Sequence, residues 1–423
     1  MRLGAPKNFL WGNFFVKKRH KAATKSAEFR AVVEAIKIYR RGGLIVVADD
    51  AKRENEGDIL CAAAKITPEK INFMARHGRG LVCVALEAAQ LARLGIKRAT
   101  PRGSGKFSTA FTESVDAAHG ISTGISAYDR AHTIRLLVSE KSGPSDFISP
   151  GHLFPLEAVP GGVLRRAGHT EAAVDFARLA GLPPAGVICE IMREDGHMAR
   201  FPELKAFAAR HKLPLITVAD LIAYRRQTEL LVERERVVQL PTECGLFELH
   251  LYRELLTDQY HLALVRGAPE KQAVALVRVH SECLTGDVFG SQRCDCGRQL
   301  HAALKAIAHE GHGVLLYMRQ EGRGIGLANK IHAYALQERG LDTVEANQEL
   351  GFEADLRDYG IGAQILGDLG LHRIRLMTNN PRKIIGLSGY GLKVTERIPL
   401  VLPHTEHSRR YLETKKQKLG HML

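Results

Sequence analysis

RVHSECLTGDVFGSQRCDCGRQL (278–300) places Cys294 and Cys296 one residue apart, with Cys283 upstream. The strand-like run ALVRVH (275–280) enters this stretch, and a helix-compatible run across 299–309 leaves it. The thiols therefore fall in a strand-to-helix connection of a mixed α/β unit. Clustered thiolates suit a soft divalent ion, above all zinc. A structural zinc closes its tetrahedron with four protein ligands, whereas a catalytic zinc keeps one position for water. Three thiols beside Arg278, His280, Glu282, Arg293 and Arg298 suggest an ion that activates water next to a bound anion. A structural knuckle with His280 or His301 as fourth ligand is the alternative.

Outward from this stretch, 423 residues exceed what one core holds, so two domains are expected. Apolar content of 45% and charged content of 25% are those of a globular chain. No apolar run is long enough to span a bilayer. Four cysteines lie outside the cluster, and Cys61, Cys83 and Cys189 sit in apolar strand-like runs. That usage predicts free thiols and a cytoplasmic setting. The net charge of +14 raises nucleic acid as a partner, but seven Lys or Arg and no acid crowd into residues 1–27. With few aromatics to stack on bases, neither nucleic acid nor membrane is expected as the main partner. The tail reads as a basic N-terminal extension.

Helical spacing runs through 29–41, strand patterns through LIVVA (44–48) and LVCVAL (81–86), and a helix from about Thr170 to Gly181. The strands GVICEI (186–191) and LITV (215–218) follow. The charged stretch 225–236 has no convincing apolar stripe and is read as a linker. The expected fold class is α/β and α+β: two globular mixed α/β domains, 28–224 and 237–423, joined by that short charged linker. RENEGD (53–58) packs four charges beside a strand end. Arg166, His169 and Thr170 stand at a helix mouth, whose free N–H groups favour phosphate. Glu54 with His169 would suit a hard ion such as Mg²⁺.

Longer motifs carry a resemblance. RQEGRGIGLANK (319–330), Asp355 and Arg357 in EADLRD, and MTNNPRK (377–383) make the chain from about 237 onward resemble GTP cyclohydrolase II. DDAKRENEGD (49–58), PGHLFPL (150–156), RRAGHTEAA (165–173) and GVICEI resemble 3,4-dihydroxy-2-butanone 4-phosphate synthase. The whole is similar to the bifunctional family of riboflavin biosynthesis that fuses the two.

The resemblance implies, for the first half, action on ribulose 5-phosphate with Mg²⁺ or Mn²⁺ on Glu54 and His169. Its substrate contacts would be Arg53, Glu54, Asp58, Thr123, Arg166, Ala167, Gly168, His169, Thr170 and Glu190, with His152 and Glu190 catalytic. For the second half it implies zinc on Cys283, Cys294 and Cys296. GTP contacts would come from Arg278, Val279, His280, Ser281, Glu282, Gln299, Glu321, Gly322, Arg323, Thr343, Thr378 and Lys383. Tyr334 is implicated in catalysis, Asp355 as proton acceptor and Arg357 as nucleophile. Electrostatic positioning of phosphates is an equally physical role for Arg357. The family also implies a homodimer. Two departures stand out: Arg102-Gly103-Ser104 where members often have Asn-Asn-Thr, and Ser149 where they have Arg. A chain active only as the cyclohydrolase, or a zinc-stabilised nucleotide- or RNA-binding protein without turnover, are the alternatives.

Overall fold

A computed structural model describes residues 29–423 apart from 51–52, 100–108, 353–356, 358, 381–382, 385–386, 388–389, 391, 404–412, 414–416, 419–421 and 423. Asp355, Arg102-Gly103-Ser104 and the basic tail 1–27 lie outside the described residues. The chain divides into two compact units, meeting in sequence at Glu229 and Leu230.

The first unit runs α1 (Arg30–Arg40), β1 (Ile45–Ala48), β2 (Gly57–Ala62), α2 (Pro68–Phe73), β3 (Cys83–Glu87), α3 (Ala88–Arg93), β4 (Val115–Ala117), α4 (Ala127–Val138), β5 (Phe147–Ala158), α5 (His169–Leu179), β6 (Gly186–Glu190), α6 (Phe201–His211), β7 (Leu215–Thr217) and α7 (Val218–Thr228). Its seven-stranded sheet has the order β4-β5-β3-β6-β2-β1-β7. β1 pairs parallel with β7 and β3 with β5, and the other pairs are antiparallel. Successive side chains leave a strand on opposite faces, so uniformly apolar strands need cover on both. Val46, Ile59, Cys61, Val84 and Val187 pack with Ile71, Ile134 and Leu204 on one face. Ile45, Val47, Leu60, Cys83 and Ile188 pack with Tyr39, Phe176 and Leu221 on the other. The strands read as continuous apolar runs for this reason.

The second unit runs β8 (Val232–Thr242), β9 (Gly245–Glu254), β10 (Tyr260–Arg266), β11 (Ala275–Ser281), α8 (Leu284–Asp287), α9 (Cys296–Glu310), β12 (Gly313–Met318), α10 (Gly326–Glu338), α11 (Thr343–Glu349), α12 (Tyr359–Asp368), β13 (Arg373–Met377) and β14 (Lys393–Ile398). The sheet order is β14-β13-β11-β12-β10-β9-β8. Its antiparallel meander β8–β9–β10 joins a parallel part, β12-β11-β13-β14. No helix among the described residues is long and apolar enough to cross a membrane.

The stretch 225–236 is not a linker. Arg225 lies in the last turn of α7 in a buried ion network, and Val232–Thr242 form the edge strand β8. An edge strand that is exposed along most of its length carries charge on both faces, so no apolar stripe marks it. The second unit accordingly starts at Leu230, seven residues before the expected 237.

Candidate active sites

In the first unit the register gathers chemistry along one end of the sheet. Asp58 of β2 stands opposite Glu190 of β6. The row through Cys83 joins Phe154 of β5 to Ile188 of β6, so two residues beyond it lie Leu81, His152 and Glu190. Glu190 Oε2 accepts the Leu81 amide at 2.8 Å. Burial, then the neighbouring carboxylates of Glu190 and Glu54, raise the Asp58 carboxyl well above its ordinary range. His152 Nδ1 shares a hydrogen bond with Asp116 Oδ2 at 2.6 Å.

The loop RENEGD is organised by Asp49. Its carboxylate accepts the amides of Glu54 (3.2 Å) and Glu56 (2.8 Å) and pairs with Arg53 at 2.8 Å. Arg53 also pairs with Glu54 at 2.9 Å. Across from the loop, α5 begins with His169 and Thr170 after Gly168, whose side-chain-free N-cap leaves the first amides open. A Cβ on Gly168 would meet Arg166 Nη1 at 2.6 Å and Arg53 Nη2 at 3.2 Å, so two guanidinium groups converge at a helix N-terminus. Arg166 is held by Glu171 at 2.7 Å, while Ala167 is exposed. Thr123 is exposed on a loop fixed by Asp129, which accepts the Ser122 and Gly124 amides.

Ligand atoms of Asp49, Glu54 and His169 lie within 4.8 Å of one another. His169 is 6% exposed, yet its Nε2 has no hydrogen-bond partner. Burial is the main cause that brings its pKa to about 4, so the ring is neutral, the form that ligates metal. The other ring nitrogen faces the Val47 backbone, the support a metal-ligating imidazole normally has. An orphaned buried lone pair beside two carboxylates fits a hard divalent cation.

In the second unit the site lies beyond the carboxyl ends of parallel strands, where α/β sheets bind ligands. Cys283 follows β11, Arg319–Gly324 follow β12, and Thr378–Asn380 follow β13. A cavity of about 150 Å³, partly open to solvent, is lined by Arg278, His280, Ser281, Glu282, Gln299, Glu321, Gly322, Arg323, Tyr334, Thr343, Arg357, Thr378 and Lys383, together with all three cysteines of the cluster. Val279 is the exception among the expected contacts: its side chain is buried, and only its carbonyl takes part, accepting Lys383 Nζ at 2.8 Å.

Ligand atoms of Cys283, Cys294 and Cys296 fall within 4.8 Å, and Cys283 Sγ lies 3.6 Å from Cys294 Sγ. Tetrahedral zinc–sulfur bonds of about 2.3 Å imply sulfur spacings of about 3.8 Å, so the thiols fit that ion. His280 turns its Nε2 to Asp287 at 3.0 Å, and His301 is exposed on α9; neither belongs to the sulfur cluster. The described residues therefore supply three ligands, which disfavours the knuckle.

Lys330 donates to Cys283 Sγ (3.2 Å), Thr285 Oγ1 (3.0 Å) and Glu321 Oε1 (2.8 Å), while Glu321 Oε2 accepts the Leu284 amide at 2.6 Å. Tyr334 meets Thr285 Oγ1 at 3.1 Å, under the Arg293 guanidinium 4.8 Å from its ring. Arg278 binds Gln299 at 2.6 Å and the Met377 carbonyl at 2.8 Å; burial lowers it to about 10, still charged at neutral pH. The turn after β12 needs glycine at 322 (φ 61°), where a Cβ would approach Ile325 Cγ1 to 2.9 Å.

Sequence reasoning missed Asp49, Asp116, Asp287 and Lys330. Asp287, four residues after Cys283, accepts the Cys283 amide, His280 and Tyr317 Oη. Lys330 ends a quoted motif and Asp49 begins one. Asp116 had no local signal.

A sequence model of 3,4-dihydroxy-2-butanone 4-phosphate synthase matches residues 33–224, and one of GTP cyclohydrolase II matches 233–399. The riboflavin biosynthesis protein RibBA of Aquifex aeolicus (strain VF5) is 57% identical over 398 residues, 93% of this chain and 98% of that protein. RibBA of Bacillus mycoides (strain KBAB4) is 58% identical over 395 residues, 93% of this chain and 99% of its own. Among solved structures, RibBX, a two-domain 3,4-dihydroxy-2-butanone 4-phosphate synthase from A. baumannii, aligns with a TM-score of 0.64 at 40% identity, covering 87% of this chain and 99% of that one.

Proposed function

The chain belongs to the RibBA family of bifunctional riboflavin biosynthesis proteins, and we propose a substrate for each unit. The first converts ribulose 5-phosphate to 3,4-dihydroxy-2-butanone 4-phosphate and formate. The second converts GTP to 2,5-diamino-6-ribosylamino-4(3H)-pyrimidinone 5′-phosphate, formate and pyrophosphate.

In the first unit, Arg53, Arg166 and the open amides of His169 and Thr170 hold the phosphate at the mouth of α5. Asp58, Thr123 and Thr170 bind the sugar hydroxyls, and His152 and Glu190 move protons between carbons. Magnesium or manganese, held by Glu54 and His169 with Asp49 beside them, supplies Lewis acidity toward the ketose oxygens.

In the second unit, Arg278, Gln299 and residues 280–282 at the end of β11 face the nucleotide, with Arg323, Thr343, Thr378 and Lys383 around it. Zinc on Cys283, Cys294 and Cys296 supplies a Lewis acid that makes water nucleophilic at neutral pH. Tyr334 stands beside that centre, and Arg357 on the same cavity offers its charge to the phosphates, with Asp355 as proton acceptor. The observation that carries this reading is the convergence of three thiols and the loops after β11, β12 and β13 on one cavity. The free thiols and the family's habit support a cytoplasmic homodimer.

The test is formate release by the purified chain from GTP and from ribulose 5-phosphate in separate reactions. Both should release formate, both should stop with chelator, and zinc should restore the first and magnesium the second. Formate from only one substrate would reduce the chain to a single activity, and formate from neither would overturn the reading.

A further inference from the structure

His152 is half exposed (46%), whereas its partner Asp116 is 4% exposed, so a buried carboxylate stands behind an outward-facing imidazole. The carboxylate grips the histidine twice: Oδ1 accepts the His152 amide at 2.9 Å, and Oδ2 meets Nδ1 at 2.6 Å. A carboxylate only accepts hydrogen bonds, so it favours the tautomer with the proton on Nδ1 and the lone pair on Nε2. The backbone is shaped for this pair. β4 and β5 lose register there, Asp116 facing Ile148 while Val115 faces Leu153, so residues 149–152 bulge out of the ladder. Bulges of this kind re-aim a side chain beside an active site. A Cβ on Gly151 would lie 2.1 Å from the Val115 carbonyl carbon; one on Gly124 would lie 2.2 Å from Asp116 Oδ2 and 2.6 Å from His152 Nδ1. Gly124 thus leaves the space the pair occupies, and Gly151 lets the bulge approach the β4 backbone.

We propose that Asp116 is a positioning residue of the ribulose 5-phosphate reaction: it locks His152 in the Nδ1–H tautomer and presents Nε2 to the substrate. This rests on the synthase reading above. Nε2 then takes a proton from the bound ketose and returns it later in the cycle, while the transient imidazolium is balanced by the carboxylate behind it. Asp116 itself touches no substrate.

Asp116→Asn is the test. An Asn side chain still accepts the His152 amide but turns an N–H toward Nδ1, which moves the ring proton to Nε2. Formate release from ribulose 5-phosphate should lose roughly 100- to 10,000-fold in kcat, with KM within about twofold. The GTP reaction of the same molecule serves as control. On a His152→Ala background, Asp116→Asn should change kcat by less than about twofold, because the effect passes through His152. Nitrogen-15 NMR of the wild type should show His152 protonated at Nδ1, and of Asp116→Asn at Nε2. A wild-type kcat in Asp116→Asn, a further loss on the His152→Ala background, or a wild-type ring protonated at Nε2 would each overturn the proposal. Should Asp116→Asn not fold, the wild-type tautomer decides. Failure of the synthase reading registers separately, as wild-type protein that releases no formate from ribulose 5-phosphate.

Discussion

Arg225→Met should unfold the first unit early. Arg225 is 7% exposed at its side chain and donates to Glu229 at 2.6 and 2.7 Å, to Asp175 at 2.6 Å and to the Gly161 carbonyl at 2.9 Å. Without it, Asp175, 1% exposed, keeps only the Val163 amide, and its Oδ1 is already buried without a partner. Removing one partner of a buried ion pair costs about 3–5 kcal/mol. The low end applies, because burial pushes Asp175 up to about 7 even with Arg225 pulling the other way, so part of its charge is absent at neutral pH. A loss of about 3 kcal/mol lowers the Tm of a unit this size by roughly 6–12 °C. Calorimetry of the full chain reads this as a shift of the first unit's transition.

The pH dependence has a definite sign. A carboxyl whose folded pKa exceeds its unfolded value takes up a proton on folding; its cost is full above the folded value and fades as pH falls toward about 4. Removing Arg225 leaves the upward push on Asp175 opposed only by the Val163 amide, so the deficit should be larger near about pH 8 than near about pH 5. Adding Asp175→Asn should recover part of the loss, since the Asp175 charge is then gone while Glu229, itself buried, still lacks Arg225. A deficit below about 1 kcal/mol at the higher pH, or one that grows on acidification, would refute this reasoning.

Cys283→Ser should reduce bound zinc, read by atomic absorption, from one per chain toward none, and cut formate release from GTP by at least about 100-fold while leaving the ribulose 5-phosphate reaction intact. Retained zinc with full GTP turnover would remove the sulfur cluster from the reaction. Gly124→Ala places a Cβ at φ 93° and 2.2 Å from Asp116 Oδ2; it should cost about 1–3 kcal/mol of stability and lower synthase kcat more than tenfold, read by denaturant melts and formate assay.

Much of the site was legible because chemistry-bearing residues stand close in sequence. Cys283, Cys294 and Cys296 span one strand-to-helix connection, and RENEGD is one loop. Apolar runs such as IVVA and GVICE announced β1 and β6, since strands covered on both faces need apolar side chains at every position. The first residues of β8, 232–236, were read as linker because at a sheet edge that requirement lapses and charge is favoured.

The sequence by itself determined the donor chemistry: soft sulfur in one half, hard oxygen with one imidazole in the other, and glycines where backbone must turn tightly. Only the tertiary structure decided which groups support those donors. Asp116 meets His152 from 36 residues away, and Lys330 reaches Cys283 from 47. Such pairs are made by strand register and helix docking, which set distance through hydrogen-bonded ladders and packed cores rather than along the chain.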